Sequence, residues 1–394
     1  MLVQFTVDNY RSIGGTASFS MMPDSKYKGH LVGNDRFKLL PSSVFFGANA
    51  SGKSNFLKAL WFMKSIVLNR CDVKQSTDLL WHDPFLLSQE TENASSSFEV
   101  IFVFEGVKYR YGFDADRTTV YSEWLFADTK GQEAKLFYRD AEKDIFYINP
   151  DKFKEGKNLK CLPNWLFIWK CDQENGQTSK KILEWFNNLN SLDGMSPNNY
   201  TNYTKSRMQE ERYRQAIENI VKRADLSIEN VVYDNNEDPS HRIKTIHSIL
   251  DKAGKVVGNR AFDLDFQESL GTRKFFSISA PILDSLQNGK ILVIDELDAS
   301  LHPLLSAELV RLFSNPLINK NNAQLIFATH DTNLLGLDLF EPCQIWFAEK
   351  DENKQTRICS LANYKGVNKR KKFDVQYLQG LFGAIPYIDH NIEW

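Results

Sequence analysis

A chain of 394 residues, 42% hydrophobic and 25% charged, has the composition of an ordinary globular protein, long enough for one large core and a second lobe. Its formal net charge of −2 excludes an overall field built to hold nucleic acid, leaving only a local basic patch for that purpose. Cys71, Cys161, Cys171, Cys343 and Cys359 are scattered and never form a C-x-x-C pair, which argues against a disulfide frame or zinc site; with no apolar run near membrane-span length and no leader-like start, the expected location is cytoplasmic, without a membrane partner.

In chain order, residues 2–7 (LVQFTV) alternate and predict a strand, and a second one ends near Phe19–Met21. Asn9-Tyr10-Arg11-Ser12 between them reads as a turn. The apolar run Ser43–Phe46 leads directly into Gly47-Ala48-Asn49-Ala50-Ser51-Gly52-Lys53-Ser54, and residues 55–68 have helical spacing. This is strand, glycine-rich loop and helix. Such a loop turns backbone N–H groups inward around phosphate oxygens, with the first helical turn adding unpaired donors and a positive dipole end. Gly47 and Gly52 permit backbone shapes that a side chain would block, Lys53 reaches the β and γ phosphates, and Ser54 can ligate Mg²⁺.

From 97 to 149, aromatic and β-branched runs separated by turn residues predict an antiparallel meander, its aromatic rings forming core. A helix is predicted over Ser179–Asn190, followed by a loop from Asp193 to Asn199. A second helix over 205–225 turns Met208, Tyr213, Ile217, Ile220, Val221 and Ala224 to one side. Together they read as a small inserted lobe, too short for an extended coiled coil. Two strands follow, ENVVY and RIKTIHSIL, joined by a turn over 234–239 and succeeded by another over 251–255.

Ile291-Leu292-Val293-Ile294-Asp295-Glu296 is a buried parallel strand delivering two acids to its C-terminal edge, where ligands sit in open α/β sheets. Asp295 would hold Mg²⁺ through water, and Glu296 would polarise the attacking water. A further strand over 323–330 ends at His330, in position for a γ-phosphate contact. Gln267-Glu268-Ser269-Leu270-Gly271-Thr272 opens the helix before the acidic strand, an arrangement that serves equally as an N-cap and as an anion-binding corner. Glycine loop and acidic strand together make nucleotide hydrolysis the leading hypothesis.

This ordered set resembles the ABC-type ATPase head of the SMC and RecF proteins and of the OLD-like ATPases of bacterial anti-phage systems. GANASGKS resembles Walker A, ESLGT the signature motif, ILVIDE Walker B, LDASLHP the D-loop, and ATH the H-loop. NYRSI resembles the family's N-terminal element, which makes Arg11 a nucleotide-side contact, and GLFGAIP resembles the tail of small single-chain members. The implied fold is α/β, a P-loop NTPase of ABC-ATPase head type, with a mixed central sheet, an antiparallel β subdomain and a small helical insertion. The division expected is 1–175 for an N-terminal ATPase lobe, 176–228 for the helical insertion and 229–394 for a C-terminal ATPase lobe.

The resemblance implies ATP and Mg²⁺ as cofactors. The nucleotide is held by Gly47, Ala48, Asn49, Ala50, Ser51, Gly52, Lys53, Ser54 and Asn55, and the metal by Ser54 and Asp295, with Glu296 and His330 catalytic. It also implies a head-to-head dimer in which Ser269 and Gly271 contact the nucleotide of the other subunit and Asp298 communicates across the interface. The family's Q-loop glutamine is not fixed by the sequence; Gln89, after Phe85-Leu86-Leu87-Ser88, is the candidate. Leu270 stands where transporter-like heads have glycine, which fits the defence-type subgroup. With no effector domain expected after the last ATPase element, the implied role is a sensor or regulator in an anti-phage system, answering to a DNA or phage-protein trigger and controlling a separate nuclease or toxin. The alternative is a RecF/SMC-like DNA-binding or DNA-repair ATPase, for which the basic run Lys369-Arg370-Lys371-Lys372 is the local support.

Overall fold

The computed structural model describes residues 1–196, 198–234, 242–365, 367 and 372–386. In chain order, β1 (Leu2–Asp8) and β2 (Ala17–Ser20) precede a small ribbon of β3 (Val32–Gly33) and β4 (Lys38–Leu39); β5 (Ser42–Phe46) then opens into the glycine loop and α1 (Lys53–Val67). The meander is β6 (Ser96–Phe104), β7 (Val107–Ala115), β8 (Val120–Asp128), β9 (Glu133–Asp140) and β10 (Ile145–Ile148). After it come α2 (Phe167–Gln173), α3 (Gln177–Asn187), β11 (Leu189–Asp193), α4 (Asn198–Arg207) and α5 (Glu211–Ala224). A second all-antiparallel unit is formed by β12 (Ile228–Tyr233), β13 (Ile243–Leu250) and β14 (Val256–Asp263). The remainder is α6 (Leu264–Gln267), α7 (Leu270–Asn288), β15 (Ile291–Asp295), α8 (Pro303–Ser314), β16 (Gln324–Ala328), β17 (Ile345–Lys350), β18 (Thr356–Ser360) and α9 (Phe373–Leu378).

The central sheet has the order β11-β15-β16-β5-β17-β18, parallel throughout except for β18 at its edge. Its strands are nearly continuous apolar runs because both faces are covered. Phe45, Ile291 and Val293 enter the core shared with α1, α3 and the meander, whereas Val44, Phe46, Leu292 and Ile294 enter the core beneath α7 and α8. Beside it lies an antiparallel sheet, β10-β9-β8-β7-β6-β1-β2, with α1 wedged between the two. Aromatic residues of the inner meander strands, Phe98, Phe102, Tyr109, Tyr111, Phe113 and Phe137, are core, as expected, whereas Phe146 and Tyr147 of β10 are exposed. Phe102 stacks on Trp185 of α3 at 4.0 Å between centroids, and Phe98 packs on Tyr10 and Phe62. Each such buried side chain contributes about 1.5–3 kcal/mol through burial alone.

Glu123 on β8 organises the join between meander and helices. It is fully buried and accepts hydrogen bonds from Tyr111 Oη at 3.0 Å, Arg139 Nε at 3.0 Å, and the backbone N–H groups of Phe167 at 2.5 Å and Ile168 at 3.1 Å. A carboxylate there satisfies two otherwise unpaired donors at the start of α2.

Three expectations change. The helix over Ser179–Asn190 ends at Asn187, and Leu189–Asp193 becomes β11, an edge strand in register with β15. Its polar half faces outward, so LNSLD carries too few apolar residues to announce a strand. Ile182, Trp185 and Phe186 of α3 lie in the core under the meander, away from the α4–α5 pair. The helix over 205–225 is two helices, α4 and α5, which pack on α7; Met208, Tyr213, Ile217 and Val221 line a third core together with β12 and β13. A third strand, β14, follows the second turn and completes that small sheet. The turn over 234–239 lies, from residue 235 onward, outside the described residues.

Candidate nucleotide site

The glycine loop leaves β5 at the C-terminal edge of the central sheet, between strands β16 and β17. Its shape is imposed from outside. Gly47 has φ +155° and a Cβ there would overlap the Ala348 carbonyl oxygen, while Gly52 has φ +103° and a Cβ would overlap Thr356. Ala50 also adopts a positive φ of 60°. The loop is tied down behind by a hydroxyl network: Thr356 Oγ1 donates to the Ser51 carbonyl at 2.9 Å and lies 2.8 Å from Ser12 Oγ, which accepts from Asn55 Nδ2 at 2.7 Å. The Asn55 side chain is thus turned into the scaffold.

Lys53 is 5% exposed and donates to the carbonyls of Gly47 at 2.7 Å and Ala48 at 3.1 Å, so its ammonium closes the loop on itself. Burial pulls it down to about 8, opposed by Asp295, Glu296 and Asp298. A buried lysine with only carbonyl partners is poised for an anion. Ser51 Oγ is likewise buried with no hydrogen-bond partner. Both observations fit a phosphate in the cradle. Ser54 Oγ donates to Asp295 Oδ1 at 3.1 Å, which joins the first turn of α1 to the end of β15. Burial raises the Asp295 carboxyl, opposed first by the Ser54 hydrogen bond.

Beyond Asp295 the backbone reverses: Glu296 has φ 55°. Its carbonyl is held by Lys274 Nζ at 3.0 Å and by the Ala299 N–H at 3.2 Å, and Gly194 packs so closely that a Cβ would overlap it. Lys274, on α7, is 4% exposed and pulled down to about 8 by burial, with Asp298, Glu296 and Asp193 opposing. Asp298 Oδ2 accepts from the backbone N–H of His330 at 3.3 Å, while its Oδ1 is buried without a partner. Burial, and after it Lys53, holds the His330 imidazole below its ordinary value, so the ring is neutral near pH 7.

Ser269 caps α7, accepting from the Thr272 N–H at 3.1 Å, and Gly271 lies against the Ser300 carbonyl of the same chain. Leu270 between them is 66% exposed. Behind this corner Glu268 accepts from His247 Nε2 at 2.7 Å, fastening it to β13. Ser269 and Gly271 line neither of two cavities, each of about 610 Å³, one at the glycine loop and the other at α1 and Asp295. One of those runs along α1 past Arg11, Lys58, Asp193 and Asp295; the other lies among Asn49, Ser51, His330 and the Ala384–Pro386 tail. Arg11 belongs to the first, with φ 50° and its Nε 2.5 Å from Asp83 Oδ2.

Gln89 is not at the site: it is exposed in a loop whose flanks, Phe85 and Thr91, are bonded to Asn9. Asp193 is the residue that the sequence reading missed. It ends β11 exactly opposite Asp295, and the Gly194 N–H donates to the Asp295 carbonyl at 2.8 Å. The signal was an aspartate at the end of LNSLD, placed as Asp295 is at the end of ILVID. Among the described residues no group of three or more His, Cys, Asp or Glu forms a metal cage. Ser54 and Asp295, with Asp193 nearby, are instead the sparse hard-oxygen set that suits Mg²⁺ completed by phosphate and water.

A family model described as "AAA domain, putative AbiEii toxin, Type IV TA system" matches residues 42–336, from the glycine-loop strand to past His330. The chain belongs to this family. Similar solved structures include the SMC head domain from Thermotoga maritima, at 13% identity and TM-score 0.43, covering 91% of this chain and 98% of that one. Others are the SMC head bound to the C-terminal winged-helix domain of ScpA, at 15% identity, TM-score 0.44 and coverage of 91% and 97%, and cbiO1 from Clostridium perfringens, part of the ABC transporter complex cbiONQ, at 11%, 0.34, 91% and 88%. No curated protein matches this AAA domain. None of its helices, among the described residues, is long and apolar enough to cross a membrane.

Proposed function

We propose that the protein binds and hydrolyses ATP with Mg²⁺ and that two copies close over the nucleotides. The observation that carries hydrolysis is the Ser54–Asp295 bond beside a buried Lys53, which brings a phosphate cradle and an ion-binding carboxylate within one hydrogen bond of each other. Bound Mg²⁺ would supply charge neutralisation between the phosphates. Lys53 and the loop N–H groups hold the phosphates; Glu296, on its reversed backbone, orients and deprotonates water; neutral His330 contributes a hydrogen bond at the γ position. Asp298 holds the His330 backbone in place.

The paired arrangement is supported by the signature corner. Ser269 and Gly271 are rigidly built and carry an exposed Leu270, yet they stand apart from the glycine loop of their own chain. A second copy offers them a phosphate to meet. On this reading ATP acts as an adhesive between heads, and turnover releases them. The family description, with its putative toxin and toxin–antitoxin wording, supports a role as the regulatory ATPase of an anti-phage system acting on a separate effector, a nuclease or toxin, in response to a DNA or phage-protein trigger.

Light scattering of Glu296→Gln tests the paired reading: saturating ATP and Mg²⁺ give the mass of a dimer, and a monomer under those conditions overturns it. Degradation of nucleic acid by the purified protein alone, given ATP and metal, would overturn the division of labour with an effector.

A further inference from the structure

Beyond its first turn, α1 carries residues to which the proposed ATPase roles assign nothing. Lys58, Trp61 and Lys64 follow at three-residue spacing and share a face of the helix. Below Trp61 this face borders a cleft of about 420 Å³, closed on the other sides by β11, α4 and α7. No residue of the glycine loop lines it. Lys64 lies roughly 15 Å along α1 from Ser54, given a rise of about 1.5 Å per residue.

The cleft has an excess of positive charge. Lys290 is paired with Asp284 at 2.8 Å and Arg207 with Glu210 at 2.5 Å, whereas Lys64 and Arg70 have no acidic partner among the described residues. Lys64 is 6% exposed and donates to the Leu189 carbonyl. Burial first, then the neighbouring Arg70 and Lys290, pull it down to about 8. The same cleft is lined by flat side chains. Trp61 is 37% exposed and stacked on Trp81, and Tyr203 lies beneath the Arg207 guanidinium at 5.0 Å.

We propose that this cleft is a second ligand site that takes a nucleoside phosphate, its phosphate held by Lys64, Arg70 and Lys290 and its base laid against Trp61 and Tyr203. The chemistry is the usual pairing of cations for phosphate with aromatic faces for a base, and the volume lies within the range of small-ligand pockets, about 300–1,000 Å³. A free mononucleotide and one unit of a single strand present the same groups. The inference stands apart from the ATPase reading, since it rests on none of the glycine-loop, acidic-strand or signature residues.

The test titrates AMP and 5′-phosphorylated pentathymidylate into Lys53→Ala protein, following tryptophan fluorescence, with Arg70→Glu added in a second preparation. At least one probe is expected to quench saturably, and Arg70→Glu to weaken that binding tenfold or more. Arg70 is exposed, so its substitution leaves the fold standing. AMP binding without the oligonucleotide assigns the free nucleotide, and the reverse assigns a strand; both sustain the site. Failure of both probes, or affinities unmoved by Arg70→Glu, overturns it, and pyrophosphate binding as tightly as AMP overturns the role of the aromatic residues. Repeating the titration on the unsubstituted chain, with one equivalent of Mg-ADP filling the glycine loop, guards against a misfolded Lys53→Ala.

Discussion

Asp193 and Asp295 sit opposite one another at the ends of neighbouring parallel strands, partners in the β11–β15 register. Two carboxylates at one sheet edge repel each other unless a cation lies between or beside them. Asp193 is therefore expected to share in holding Mg²⁺. Asp193→Asn keeps the size and removes the charge, and the Mg²⁺ concentration for half-maximal turnover should rise on the order of tenfold. A magnesium titration of ATP hydrolysis reads this directly; an unmoved midpoint removes Asp193 from the ion's surroundings.

Lys53 gives the nucleotide affinity a pH dependence of known sign. In the ligand-free protein it titrates at about 8. Phosphates favour the ammonium and raise that value, so above about pH 8 binding must take up a proton that the free protein has lost. Affinity for ATP should be level below pH 8 and fall above it, by roughly tenfold between pH 7 and pH 9. Calorimetry in buffers of different ionisation enthalpy would show the proton uptake; affinity that rises with pH would contradict it.

Glu123 should be the costliest single carboxylate to lose. Glu123→Ala strips partners from Tyr111 and from two N–H groups of α2, and deprives Arg139, only 11% exposed, of its anion at 2.9 Å. The expected loss is about 3–5 kcal/mol in urea unfolding. Glu123→Gln should cost less, because one acceptor oxygen survives.

At Gly52 two penalties can be separated. Gly52→Ala forces an L residue to φ +103° and drives its Cβ into Thr356. A loss of about 1–3 kcal/mol is expected from the backbone alone, with the overlap added. Thr356→Ala in the same chain should recover only the overlap share of the drop in Tm.

The parts of the site written in consecutive residues were legible in the sequence: the glycine loop, the acidic strand end and the capped corner at Ser269 each need a local residue pattern and have one. What pairing creates was not legible. Leu189–Asp193 is a strand because β15 supplies its hydrogen bonds, and Asp193 enters the site only through that register. Gln89 was the candidate Q-loop residue on its neighbours alone, and the Asn9 side chain anchors that loop elsewhere. Glu123 gathers partners from three further elements, up to 45 positions away, and the Ser12–Thr356–Ser51 network joins residues more than 300 positions apart, which no local pattern can display. The basic run was the local support for a DNA-binding reading; its residues Lys369, Arg370 and Lys371 lie outside the described residues.

The matched family region closes at residue 336, yet Ala348 and Thr356, whose atoms leave no room for side chains at Gly47 and Gly52, come after it. The phosphate loop is therefore cast in a mould made by the β17–β18 hairpin. A chain cut at residue 336 would keep the glycine loop, the capped corner at Ser269, the acidic strand and His330 and lose the mould, so these motifs mark where the chemistry is while the hairpin decides whether the loop has the shape to perform it.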